Sequence, residues 1–494
     1  MTSPWPGRAS GILLHPTSLP GPWGMGDLGP ASRDLLQWLA AAGQELWQLL
    51  PLTPVGPSGS PYSSPSAFAI NPLLLSLDDL IADGWLAADA PGLSALWTGP
   101  QERVDFAVQT AHKEPLVRAA AGALLAARGS DRFPDSAWGD FAARHVAWLP
   151  AWASFAAEKR ARGGAPRWAW EGAPIASEHD VALEAAVQFL GFQQVARLRS
   201  EASALGIRIV GDLPIFVAED SADVHGAPDL FDLAEDGRPR VVAGVPPDAF
   251  SDLGQLWGNP MYRWDRMAET DYGWWRARMR TLLEVVDLVR VDHFRGFAAA
   301  WAVPRDAADA RSGEWTPGSG RALFDALADE LGGGRLPFIA EDLGVITPDV
   351  EALRDGLGLP GMKILQFAFD GNDDNAYLPA HHPPNCVVYT GTHDNDTVVG
   401  WWDHAPDWSR DALRRQLGGD VDRDGVAWAL LELAMASPAE LCITPIQDVL
   451  GLDGSARMNV PGVADGNWAW RLAPGQLTHA LADRLRGLSE SSGR

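Results

Sequence analysis

Eight short apolar runs, separated by helical patterns, constrain this chain more than any other feature of it. They cover residues 11–14, 46–50, 207–211, 288–292, 337–341, 362–367, 386–390 and 441–445. Runs of this length and continuity read as strands buried on both faces of a parallel sheet. Helical spacing follows between most of them, as in 31–42, where Leu35, Leu36 and Leu39 share a face, Ser32 is a candidate cap and Gly43 a stop. Further helical patterns cover 184–205, 321–331 and 348–355. Strand–helix–strand repeats make the strands parallel. Eight of them predict an α/β fold, a closed (β/α)8 TIM barrel, over an open doubly wound sheet. No Gly-x-Gly-x-x-Gly follows a strand, which counts against a dinucleotide-binding sheet.

The alternation breaks once. Residues from about 75 to 180 are rich in Ala, Gly and Pro and show helical patches without a buried strand, so an inserted, mainly helical subdomain is expected there. A second insertion, a loop at the active site, is expected over about 244–275, within one catalytic barrel domain spanning 1–494. Residues 488–494 read as a frayed end.

Three of the runs lead into acids. Asp292 ends the fourth run, Glu341 ends the fifth, and Asp394 follows the seventh. Burying an unpaired carboxylate is unfavourable, so charge at the end of a buried strand needs a reason. A barrel supplies one, because its active site is built from the C-terminal ends of several strands. Two carboxylates flanking a bond suit glycoside cleavage, one as nucleophile and one as acid, then base. A third can hold sugar hydroxyls and stabilise positive charge. Arg290 lies two residues before Asp292, hence on the same strand face, and is expected to hold it ionised. Glu341 follows Phe338, Ile339 and Ala340, an apolar lead-in expected to favour its protonated form. Acids whose environments separate their pKa values divide into acid and nucleophile. His293 and His393 stand beside two of them.

Composition narrows the partners. The net charge of −25 repels nucleic acid and anionic membrane surfaces and favours a neutral substrate. Tryptophan is abundant, 23 residues against 5 Tyr, and indoles stack well on sugar rings. No run nears the roughly 18 residues of a membrane span, and the N-terminus lacks a basic stretch followed by a long apolar one. Cys386 and Cys442, the only two cysteines, lie in apolar runs and read as reduced core thiols of a cytoplasmic protein. No spacing of Cys or His suggests a metal, and no metal or organic cofactor is expected.

Several segments, in order, resemble the 4-alpha-glucanotransferase family, also called amylomaltase or disproportionating enzyme. They are Ser60-Pro61-Tyr62 with Ser66-Ala67-Phe68, Gly211 to Val217, Gly244 to Asp248, Trp257 to Pro260, Arg290 to Gly296, Ala340 to Gly344, Gly391 to Thr397 and Gly466 to Arg471. The resemblance runs from about Gly11 to Leu472 and has no diagnostic motif over about 85–175. It implies a barrel with insertions, Asp292 as nucleophile, Glu341 as general acid/base and Asp394 as transition-state stabiliser. It implies that Tyr62, Asp212, Arg290, His293, His393 and Asn467 hold the donor sugars, with Trp257 and Asp370 further along the groove. Implied substrates are maltooligosaccharides and soluble amylose-type α-1,4-glucans, with another glucan or glucose as acceptor. A monomer is expected.

Spacing alone does not separate a transferase from a starch hydrolase of the same barrel type; the resemblance favours transfer. The loop 244–260 is a candidate for holding the acceptor, with Phe250 and Trp257 to stack and Gln255 and Asn259 to hydrogen-bond. A non-catalytic glucan-binding protein would leave the strand-end acids without a use. An aldolase or isomerase barrel would call for a Lys ending an apolar strand, a metal or a phosphate loop, and none is found.

Overall fold

The structure, a computed structural model, describes residues 5–56, 58–93, 102–247, 251–463 and 465–494. Phe250 lies outside them. All eight expected strands are present in one parallel sheet: β1 (Ala9–Leu13), β2 (Leu46–Gln48), β3 (Arg208–Leu213), β6 (Leu288–Val291), β9 (Phe338–Ala340), β10 (Gly361–Ile364), β11 (Cys386–Tyr389) and β12 (Leu441–Pro445). Their order is β10-β11-β12-β1-β2-β3-β6-β9. The ends meet where the Ala340 amide donates to the Pro360 carbonyl at 2.9 Å, closing the (β/α)8 barrel.

Strand alternation sorts the side chains. Leu46, Val210, Leu288, Ile339, Met362, Val387 and Leu441 pack together in one buried cluster that fills the barrel, and Trp5 joins it. The neighbours Trp47, Ile209, Val289, Phe338, Val388 and Cys442 belong to the second, larger cluster, which includes the apolar faces of the surrounding helices. The strands are therefore buried on both faces, which is why they read as continuous apolar runs. Gly11 in β1 is a packing requirement, since a Cβ there would lie 2.4 Å from the Leu46 carbonyl oxygen. Cys386 and Cys442 are free and buried on adjacent strands. Among the described residues no helix is long and apolar enough to cross a membrane.

The helix before β3 runs Glu178–Ala204 and starts earlier than its apolar spacing suggests, because the Ser177 hydroxyl caps it by accepting from the Asp180 amide. Helices also occupy Leu77–Ala82, Phe106–Ala126, Asp135–Arg144 and Leu149–Ala161, the region rich in Ala, Gly and Pro. The end of the chain departs from expectation. It forms the helix His479–Ser491, and the Arg494 guanidinium donates to the carbonyls of Met435, Ala9, Glu440, Ser437 and Ala439. A single side chain tying down helix and strand ends leaves no periodic trace in the sequence.

A second sheet was not legible. Four antiparallel strands, β4 (Val241–Val245), β5 (Gln255–Pro260), β7 (Ala299–Pro304) and β8 (Glu314–Pro317), lie in the order β5-β4-β7-β8. They come from the connections that follow β3 and β6, so much of the stretch expected as a loop is a hairpin. Gly and Pro interrupt its strands and hide their alternation. The cross-strand pair Trp301 and Trp315, with centroids 5.1 Å apart, helps hold this sheet together.

Candidate active site

The mouth of the barrel is built by continuing the inward alternation. In β3, Val210 points inward, and so does Asp212; in β6, Leu288 is followed inward by Arg290 and then Asp292 just past the strand. Asp212 and Arg290 are register partners, and the Arg290 Nη1 lies 2.8 Å from both Asp212 carboxylate oxygens. The Arg290 Nη2 lies 2.9 Å from Asp292 Oδ1. One buried guanidinium thus joins the two acids. The Asp212 side chain is fully buried, while that of Asp292 is 27% exposed at the mouth.

Glu341, at the end of β9, is aimed by backbone amides. Its Oε2 accepts from the His293 amide at 2.6 Å and its Oε1 from the Leu343 amide at 3.0 Å. His293 adopts a left-handed backbone with φ of 50°, uncommon for a residue with a Cβ. Through its amide, the residue after Asp292 orients Glu341 and ties the two acids together. The His293 ring meets the Trp257 indole edge to face at 4.7 Å, and its Nε2 is buried without a partner among the described residues.

On the other side, the Tyr62 hydroxyl lies 2.5 Å from Asp212 Oδ2 and 2.9 Å from His393 Nε2. Its single proton goes to the carboxylate, so His393 Nε2 carries a proton and donates to the Tyr62 oxygen. The two rings stack at 5.3 Å, and Trp468 packs against both. Asp394 follows β11; its Oδ1 accepts from Asn459 Nδ2 at 2.6 Å and sits 3.4 Å from His393 Nε2. Trp468, Asn459 and Arg457, which donates to the Asp394 carbonyl, were not singled out from sequence. Only the Gly466 to Arg471 segment hinted at Trp468.

Nine of the eleven sequence candidates thus form one connected cluster, or touch it: Asp292, Glu341, Asp394, Tyr62, Asp212, Trp257, Arg290, His293 and His393. Asp370 and Asn467 are not brought into it. Asp370 is exposed and accepts from the Asn372 amide. The Asn467 side chain braces its own loop, accepting from the Val460 amide and donating to the carbonyls of Val460 and Val463.

The charge balance corrects one expectation. Burial pushes the Asp292 carboxyl well above the usual carboxylate range; Arg290 opposes this, but Asp212, Glu341 and Asp394 reinforce it. Glu341 is also raised, first by burial, against Arg290 and the two backbone amides. The apolar lead-in pointed to a raised Glu341, as found, but Arg290 was expected to hold Asp292 ionised; burial and the neighbouring acids outweigh the guanidinium and raise Asp292 as well. Burial lowers His393 and takes His293 to about 3, so both rings are neutral at ordinary pH. Among the described residues no group of three or more His, Cys, Asp or Glu is arranged to hold a metal ion.

The loop with His393 and Asp394 rests on Asp448, which accepts from the Thr390 hydroxyl at 2.6 Å and the Val398 amide at 2.8 Å. Burial raises the Asp448 carboxyl from 3.8 to about 6. A carboxyl raised by folding stabilises the fold below its unfolded pKa and loses that contribution as pH rises through the folded value. Asp448→Asn should therefore gain stability relative to the parent protein as pH rises from about 4 to about 7, by an amount on the order of 3 kcal/mol. Urea melts of both proteins across that range test it; a constant difference would mean that Asp448 stays ionised throughout.

A barrel mouth holding paired carboxylates on neighbouring strands, aromatic walls and a buried cation between the acids defines an enzyme of glycosidic bonds. Comparison with known proteins narrows the class. The family model for 4-alpha-glucanotransferase matches residues 14–478, and the chain belongs to that family. It is 47% identical to the 4-alpha-glucanotransferase of Thermus thermophilus over 506 aligned residues, covering 99% of each chain. It is 44% identical to that of Synechocystis sp., covering 99% of this chain and 98% of the relative. In structure it is similar to the amylomaltase of Streptococcus agalactiae solved with acarbose, with a TM-score of 0.92 at 33% identity over 99% of both chains.

Proposed function

We propose that the chain moves a segment of an α-1,4-glucan to the 4-hydroxyl of another glucan or of glucose, by retaining double displacement. Asp292 attacks the anomeric carbon while Glu341 protonates the leaving oxygen; Glu341 then deprotonates the incoming hydroxyl as the glycosyl–Asp292 ester breaks. The observation that carries the reading is the Arg290 bridge, 2.9 Å from Asp292 and 2.8 Å from Asp212. In this reading the carboxylate that attacks is Asp292, which Arg290 contacts at 2.9 Å, and the proton to be donated is on Glu341. Asp394, held by Asn459, would meet sugar hydroxyls and developing positive charge. Tyr62, Asp212, His293 and His393 would hold the donor ring, with the unpartnered His293 Nε2 free for a hydroxyl. Asn467 would help hold the donor sugars and Asp370 would bind further along the groove, as the family resemblance implies.

Transfer outruns hydrolysis only if the acceptor is held at an effective concentration above that of water. The β4–β5 hairpin brings the half-exposed Trp257 beside His293, a platform on which an acceptor sugar can stack. The relatives' names and the acarbose complex support an α-glucan substrate. We read the helical region of about 75–180 and the hairpin region of about 244–275 as insertions in a single catalytic domain, acting as a cytoplasmic monomer. Incubation with maltotriose tests the function: a ladder of longer oligomers with glucose is expected, whereas glucose and maltose alone would make the enzyme a hydrolase.

A further inference from the structure

Two buried imidazoles behind the donor-sugar pocket have one nitrogen each without a partner among the described residues: Nδ1 of His15 and Nδ1 of His393. Both side chains are more than nine-tenths buried. His15 follows β1 at the same end of the barrel as the acids, and both rings line one small cavity with Gln447, Met458 and Thr392. The cavity has a volume of about 20 Å³, room for one water. Burying a nitrogen without a hydrogen bond is unfavourable, and two residues that each carry such a nitrogen on the lining of one water-sized cavity point to a shared partner.

The tautomer of His393 sets the polarity. Tyr62 gives its proton to Asp212, so His393 must donate through Nε2 and can only accept at Nδ1. Whatever fills the cavity must therefore donate to His393. Burial and the nearby His393 take His15 down to about 3, so it is a neutral ring with one donor and one acceptor.

We propose that a buried water bridges Nδ1 of His15 and Nδ1 of His393, and that His15 is a positioning residue which, through this water, locks His393 as the Nε2–H tautomer. The chain of donors then runs from water to His393, to Tyr62, to Asp212, and ends on the carboxylate that grips Arg290. His15 acts through His393: it fixes the protons of the groups read as donor-sugar ligands. The effect on catalysis rests on the reading of Tyr62 and His393 as donor-sugar ligands, but the water and the tautomer do not.

The test therefore has two arms on the full-length protein. A high-resolution crystal structure should show a water about 2.7–3.2 Å from both Nδ1 atoms, and ¹⁵N-histidine NMR should report His393 protonated at Nε2. In the second arm, His15→Asn keeps a polar atom near the Nδ1 position and His15→Leu does not. For transfer from maltotriose, His15→Leu should lower kcat about 10-fold or more with KM little changed, while His15→Asn stays within about twofold of the parent protein. An empty cavity, a His393 protonated at Nδ1, or equal kcat losses in both variants that follow their melting temperatures would overturn the proposal. If His15→Leu does not fold, the wild-type density, the tautomer and His15→Asn still decide it. Should the parent protein hydrolyse rather than transfer, the first arm is unaffected, so failure of the functional reading and failure of the water bridge are told apart.

Discussion

Asp292→Asn is expected to lower glucan transfer by about 10⁴-fold or more while leaving a folded protein that still binds maltooligosaccharide. Asn preserves the volume and keeps an oxygen for Arg290, but it cannot form the glycosyl ester. The same substitution should not destabilise the protein. The Asp292 carboxyl is raised by burial and by Asp212, Glu341 and Asp394, so its ionised form opposes folding at neutral pH. A group with a raised folded pKa loses its stabilising contribution as pH climbs through that value, and Asn removes the dependence. At pH 7 the variant should melt at the same temperature as the parent or higher. Lost activity with retained or improved stability is the expected pattern where a strained site serves function. Maltotriose turnover and thermal melts measure the two effects; transfer within tenfold of the parent would remove Asp292 from the nucleophile role.

Arg290→Met should damage both stability and rate. Arg290 is 3% exposed and contacts Asp212 and Asp292, and it also opposes the rise at Glu341. Removing one partner of a buried ion pair typically destabilises by about 3–5 kcal/mol, because the remaining charge is left uncompensated. The acids respond by keeping their protons, so the nucleophile is lost at neutral pH and transfer should fall by about 10³-fold or more. The pH profile separates this from simple unfolding. In the parent protein the acid limb of kcat/KM should already lie above the ordinary carboxylate pKa of about 4, since both Asp292 and Glu341 are raised. Without Arg290 that limb should move to still higher pH. Arg290→Lys should recover part of the stability but little of the rate, because an ammonium cannot grip two carboxylates in fixed geometry. An unmoved acid limb in Arg290→Met would show that Arg290 does not set the charge of Asp292.

The barrel was legible because each of its strands is buried on both faces, which writes a continuous apolar run into the sequence. Asp292, Glu341 and Asp394 were legible for the same reason, as charges where such runs end. Arg290 followed from the two-residue period of a strand, and the register pairing of Arg290 with Asp212 extends that logic across to the neighbouring strand. What was hidden depends on contacts between distant segments. The antiparallel sheet has Gly and Pro in its strands, and in β5 the consecutive residues Leu256 and Trp257 are both exposed, so no period marks it. Trp468 reaches Tyr62 and His393 from near the C-terminus through a left-handed backbone with φ of 63°. The elevation of Asp292 adds to its burial the charges of Asp212, Glu341 and Asp394, acids from three other strands, which no local lead-in can report.

Asp292, and no other acid of the mouth, is expected to carry the sugar between donor and acceptor. Trapping tests it most directly: a 5-fluoroglycosyl fluoride forms the ester quickly and releases it slowly, and digestion with mass spectrometry then locates the bound sugar. A single labelled peptide is expected, with the glycosyl group on Asp292. A label on Glu341 or on Asp394 would contradict it.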